Sequence, residues 1–257
     1  MIKRILTALL IIAVVIPPLV FGGYFLDMLV YLIVIIAGFE IFNLLANCKF
    51  ISTGLMFLLL SSVFFIHYLP LQASIVSFSI LSMAILSIPI FSHKVTSEDA
   101  FFIIAILSMF FSLEICFFSI YNVDVRYIWF VLIATYGCDT GAYFIGSQFG
   151  RRKLIPSISP NKSIEGAVGG WVTGALMSFI FVVFVFPTMP LLAIILGCLW
   201  LPITSQFGDL TFSAMKRHFN IKDFSNVFPG HGGFMDRIDS LVFNVIVFAL
   251  ILELALW

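Results

Sequence analysis

Charge is scarce in this chain: 13 Lys and Arg and 13 Asp and Glu make up only 10% of its 257 residues, against 62% apolar residues. A mean hydropathy of +1.18, with 31 Phe, exceeds what a soluble core can hide. Period-two alternation is also missing and the apolar runs are long, which argues against a transmembrane barrel. The four cysteines, Cys48, Cys116, Cys138 and Cys198, show no C-x-x-C spacing, so neither a zinc site nor a disulfide framework has support. They read as packing residues. No internal repeat, flexible linker or low-complexity tract marks a second domain. The formal net charge is zero, so the balance itself says nothing about partners, and no nucleic-acid partner is expected.

What remains is long apolar sequence. A spanning helix needs roughly 20 mostly apolar residues, and the chain divides into about nine such runs. They fall near 5 to 22, 26 to 46, 51 to 69, 71 to 91, 100 to 120, 126 to 147, 166 to 187, 190 to 213 and 240 to 257. The expected fold is therefore all-α, a polytopic integral membrane protein forming one membrane domain. The start, "MIKRILTALLIIAVV", resembles a signal peptide, but no small-x-small cleavage site follows in "IPPLVFGGYF", so it reads as a retained first helix. With the N-terminus inside and nine spans, twelve of the thirteen basic residues fall on the cytoplasmic side and only Arg126 falls outside.

The charges are unevenly spread. Residues 1 to 138 hold 11 of the 26, and residues 139 to 240 hold 14, so residues 1–138 read as scaffold and 139–257 as the catalytic half. Asp139 in "CDTGAYFIGSQFGRRK" lies within a span, one helical turn from Tyr143. A carboxylate there costs roughly 2.5 to 3.5 kcal/mol, so it should face a polar cavity, a cation or a partner. In "RRKLIPSISPNKSIEG", Pro160 suits the first turn of a helix capped by Ser159, with Lys162 at a helix start that favours anions. Arg151, Arg152 and Lys153 read as anchors to acidic headgroups. In "QFGDLTFSAMKRHFNIKD", Asp209, Ser213 and Lys216 stack along one helical stripe, followed closely by Arg217 and Lys222. In "PGHGGFMDRIDS", Asp236 and Asp239 share a face if the last helix begins near Gly233. Carboxylates so close repel unless a cation lies between them, and magnesium suits oxygen donors of this kind. Gly230, Gly232 and Gly233 would let backbone N–H groups approach phosphates. His231 alone is weak support for a role.

The run from Ser213 to Asp239, "SAMKRHFNIKDFSNVFPGHGGFMDRID", resembles the signature of phosphatidate cytidylyltransferases, or CDP-diacylglycerol synthases. The S-x-x-K-R, K-D and H-G-G-x-x-D-R-x-D elements stand in order. "DTGAY", "SPNKSIEG" and "GDL" also resemble segments of that family, so the likeness covers the C-terminal half. It implies a magnesium-dependent transfer from CTP to phosphatidic acid at the cytoplasmic face of a bacterial inner membrane, by an enzyme commonly dimeric. Carried over by motif position, Asp209, Asp236 and Asp239 would bind the metal, with potassium as a second cation. Asp139 and Lys162 would complete the polar cavity. Tyr143, Ser213, Lys216, Arg217, Lys222, His231, Gly232, Gly233 and Arg237 would line the substrates. Asn161 and Ser163 stand where family members often show Lys and Thr, a departure that touches the finer role of that loop.

The chemistry suits these residues independently of the resemblance. Joining two anions and releasing a third needs positioning and charge neutralisation more than a covalent intermediate, and no convincing Ser-His-Asp arrangement is present. Two rivals remain at this stage: a CTP-dependent enzyme acting on another lipid phosphate or a polyprenol, and a transporter. A transporter would place its charges near the midplane of two related halves, whereas here the acids gather at helix ends and the halves differ in polarity.

Overall fold

The computed structural model describes residues 13–45, 53–92, 95–225 and 232–257. Among these residues stand the helices α1 (Gly23–Phe42), α2 (Thr53–Ile66), α3 (Leu71–Phe91), α4 (Ser97–Val123), α5 (Val125–Phe149), α6 (Ile164–Val185), α7 (Leu191–His218) and α8 (Met235–Leu256). Residues 13–21 are also helical. All except the 14-residue α2 are long and apolar enough to cross a membrane, seven in number among the described residues. Large apolar side chains stay exposed along them, such as Phe25, Ile90, Phe91 and Phe184. Water does not tolerate apolar surface on that scale, so these faces meet lipid. The chain is an all-α polytopic membrane protein. Of the expected first run, residues 5–12 lie outside the described residues and 13–21 are helical, and the third run corresponds to α2.

The helices fall into two compact units, one of residues 1–115 and 223–235, the other of 116–222 and 236–257. In the first, α1 meets α2 closely at Gly38, where a Cβ would collide with the Leu60 side chain, and Tyr31 and Ser61 share a 2.9 Å hydrogen bond. In the second, α5 and α6 meet along a seam of small residues. A Cβ on Gly170 would stand 2.7 Å from the Cys138 carbonyl, and one on Gly174 would stand 2.8 Å from the Ala134 carbonyl. Small residues let membrane helices touch backbone to backbone. Polar side chains add cross-links: Trp171 Nε1 donates to the Leu199 carbonyl at 3.0 Å, and Gln206 Nε2 donates to the Ala167 carbonyl at 2.9 Å. Buried Asn244 donates to Thr135 at 2.7 Å and bonds Thr204, which ties α5, α7 and α8 together.

Between α5 and α6 the structure departs from the sequence reading. Residues 159–163 are not a helix start. They form strand β2 (Ser159–Ser163), paired antiparallel with β1 (Lys153–Ile155) in register Lys153 to Ser163 and Ile155 to Ser159. Helix α6 begins four residues later than expected, at Ile164, and its cap is Ser163, whose hydroxyl accepts from the Gly166 N–H at 3.1 Å. The physical reason is the pairing with β1, which holds 159–163 extended, and Pro160, whose fixed φ suits extended chain as well as a first helical turn, is accommodated there. Glu165 then accepts the Arg151 and Arg152 backbone N–H groups and closes the base of the hairpin. Lys162 consequently rides on a strand.

Candidate active site

Helix α7 is 28 residues long, about 42 Å at 1.5 Å per residue, against a hydrocarbon core of about 30 Å. Its surplus length carries Lys216, Arg217 and His218 in the last turn, where cations complement the negative helix end. One face of this end bears the expected stripe. Ser213 donates to Asp209 Oδ1 at 3.2 Å, and Ser213 and Lys216 are both buried. Lys162 reaches across from β2 and sets its Nζ 2.6 Å from Asp209 Oδ2.

Helix α8 lies against this stripe because residue 208 is glycine. A Cβ there would stand 3.0 Å from the Asp239 carbonyl and 3.1 Å from Ser240 Cα, tighter than ordinary contact. The close approach brings the Asp209 turn to the Asp239 turn. Asp239 is 8% exposed and accepts the Ser240 N–H at 2.7 Å. One turn earlier, Asp236 Oδ1 meets Lys216 Nζ at 2.5 Å, with side-chain exposures of 7% and 10%. Asp139 on α5 is exposed. Its charge and that of Asp209 both act on Asp239. Strand β2 and helices α5, α7 and α8 thus assemble four acids and two lysines from segments far apart in sequence.

Among the described residues, no three His, Cys, Asp or Glu side chains converge closely enough to hold a metal ion alone. Magnesium needs less, because it retains waters and uses one or two carboxylates together with substrate phosphates. Asp209 and Asp239 fit that demand: they are hard oxygen donors on helices in contact at Gly208, and their like charges act on each other.

Other expected residues lie elsewhere or do other work. Tyr143 is 72% exposed, and Lys222 is exposed in the loop after α7. Arg217 donates to the Ile158 and Ile221 carbonyls at 3.2 and 2.8 Å, fastening the hairpin turn to the end of α7. Arg237 is exposed, and its carbonyl accepts from the Tyr136 hydroxyl at 3.4 Å. Gly232 has a positive φ of 79°, a conformation that suits glycine, and Gly233 is buried. His231 and Gly230 lie outside the described residues. Sequence reasoning passed over Glu40, whose carboxylate binds the segment leading into α8. The available signal was a carboxylate inside an apolar run.

A family model described as the cytidylyltransferase family matches residues 2–255. Similar curated proteins include the phosphatidate cytidylyltransferase of Staphylococcus saprophyticus, 33% identical over 255 residues that cover 93% of this chain and 94% of that protein. The enzyme of the same name from Staphylococcus haemolyticus is 31% identical over the same length and shares. That of Bacillus subtilis is 42% identical over 130 residues, 49% of this chain and 48% of that protein. With a match running almost from end to end, the chain belongs to the cytidylyltransferase family.

Proposed function

We propose that this membrane enzyme transfers the cytidylyl group of CTP to phosphatidic acid, releasing pyrophosphate and leaving CDP-diacylglycerol. The observation that carries this reading is the meeting of Lys162 with Asp209 beside buried Asp239, which puts carboxylates and an ammonium group together at the polar end of a membrane helix. A phosphate oxygen of the lipid attacks the α-phosphorus of CTP, the new P–O bond forms, and the bond to the β-phosphate oxygen breaks. Lys162 and Lys216 neutralise Asp209 and Asp236 in this structure, and in the reaction they supply the ammonium groups that meet the substrate phosphates. Asp209 and Asp239, with Asp236 one turn before Asp239, are the proposed magnesium site, completed by water and substrate phosphates, with potassium as a second cation. A bound magnesium ion would offset the charge of the triphosphate and of the departing pyrophosphate. Asp139 adds its charge to the same group of acids, and Ser213 orients the Asp209 carboxylate. Residues 139–257 supply the machinery, and 1–138 supply the scaffold that keeps it in lipid. The test is purified protein with labelled CTP and a panel of lipid acceptors: labelled CDP-diacylglycerol from phosphatidic acid supports the reading, and preference for a polyprenol or another lipid phosphate overturns it.

The same proposal sets the orientation: nine spans, N-terminus and active site towards the cytoplasm, in a bacterial cytoplasmic membrane, with the enzyme a homodimer. Twelve of thirteen basic residues then lie inside. In a cysteine-free background, Ser157→Cys in the hairpin turn is expected to react with an impermeant thiol reagent only from the cytoplasm, and Thr188→Cys only from outside. Reaction of both from one side would sink the nine-span arrangement.

Lys162 and Lys153 sit on opposite strands of one hairpin, and only Lys162 has an aspartate partner in the site. Lys162→Ala is expected to raise the KM for CTP or phosphatidic acid and to lower kcat about 10-fold to 100-fold. Lys153→Ala should change either constant less than about twofold, the scale of a screened surface charge. Equal effects would mean that the hairpin contributes only general surface charge.

A further inference from the structure

Glu40 is 4% exposed near the C-terminal end of α1, and a buried carboxylate in an apolar helix is costly unless it is fully bonded. Its oxygens are well supplied with donors. Oε1 accepts from the Phe234 N–H at 2.8 Å and from the Ser225 hydroxyl, and Oε2 accepts from the Met235 N–H at 2.7 Å. The two N–H groups stand at the start of α8, where no earlier helical turn offers them a carbonyl. The positive end of the helix falls on the same carboxylate. Gly233 completes the fit, since a Cβ there would stand 2.7 Å from Glu40 Oε2 and 2.9 Å from the Ser225 nitrogen.

The chain between Gly232 and Phe234 carries no capping side chain of its own, so the cap comes from a residue 195 positions before Met235. Glu40, Ser225, Gly233, Phe234 and Met235 all belong to the first unit, and α8 runs on unbroken from Met235 through Asp236 and Asp239. We propose that Glu40 is a positioning residue for the reaction: by holding the first turn of α8, it fixes Asp236 and Asp239 where they act. This rests on the role given to those aspartates above. Two glycines precede the helix and leave its start wide conformational freedom, so without the carboxylate the first turn frays and the aspartates lose their placement. Misplacement of about 1 Å can cost a reaction about 100-fold.

The test compares Glu40→Ala, Glu40→Gln and Ser225→Ala with the unaltered full chain, purified in detergent. It measures kcat per folded enzyme, the magnesium concentration for half-maximal rate, and the melting temperature. Glu40→Ala is expected to lower kcat at least about 10-fold and to raise half-saturating magnesium. Glu40→Gln keeps the shape but turns an amide donor towards one of the backbone N–H groups, and should fall between Glu40→Ala and the unaltered enzyme. A lower melting temperature with unchanged kcat per folded enzyme and unchanged magnesium dependence would make Glu40 a fold residue only and overturn the inference. If Glu40→Ala does not accumulate, Ser225→Ala decides. A kcat reduced about threefold or more, with raised half-saturating magnesium, supports positioning, and unaltered values of both overturn it. Absence of labelled product from the unaltered chain with CTP and phosphatidic acid would instead reject the underlying assignment of function, which separates the two failures.

Discussion

Asp239→Asn is expected to lower CTP-dependent product formation by about 100-fold to 1000-fold, the cost of losing one electrostatic contact to the transition state. Removal of a metal ligand would take it further. The substitution keeps size and most hydrogen bonding, including acceptance of the Ser240 N–H, but removes the charge. Stability should move the other way. Asp239 is buried, and burial first and then the neighbouring carboxylates oppose its charge more than Lys216 supports it, so neutralising it leaves the melting temperature equal or higher. Glu253→Gln removes an exposed carboxylate near the far end of the same helix and should be nearly silent. The measurement is product formation across a magnesium titration at matched membrane yield. Near-normal turnover by Asp239→Asn at ordinary magnesium would make the aspartate structural and end its assignment as a metal ligand.

Lys216→Met is expected to cost both stability and activity. Its ammonium is 2.5 Å from Asp236 Oδ1, and both side chains are almost buried, so solvent screens the pair little. Removing one partner of a buried ion pair typically costs about 3 to 5 kcal/mol, because the other charge is left behind in a poorly polar setting. A fall in melting temperature on the order of 10 °C follows. The double variant Lys216→Met with Asp236→Asn removes both charges and should regain most of that loss while remaining inactive. An unchanged melting temperature for Lys216→Met would show that the pair adds nothing to the fold. An active double variant would remove both residues from the machinery.

The membrane class was legible because it depends on summed apolar area, which composition reports directly. The run expected at 71 to 91 coincides with α3, and the Asp209, Ser213, Lys216 stripe survives because helical spacing alone places those side chains on one face. The hairpin was less legible: the sequence reading took Ser159 as the cap before Pro160, whereas pairing with Lys153–Ile155 holds 159–163 extended and leaves Ser163 as the cap.

From the sequence alone came the helical membrane class, the concentration of charge after residue 138 and the family signature between Ser213 and Asp239. These depend on composition and on spacing within single elements, where neighbours along the chain decide the outcome. The tertiary structure decided which residues meet: Lys162 with Asp209, Lys216 with Asp236, and Glu40 with the first N–H groups of α8. No local periodicity encodes such pairs. They arise when helices approach at positions such as Gly208, where a missing side chain permits contact, and a carboxylate buried at such a contact must find its donors wherever the fold brings them.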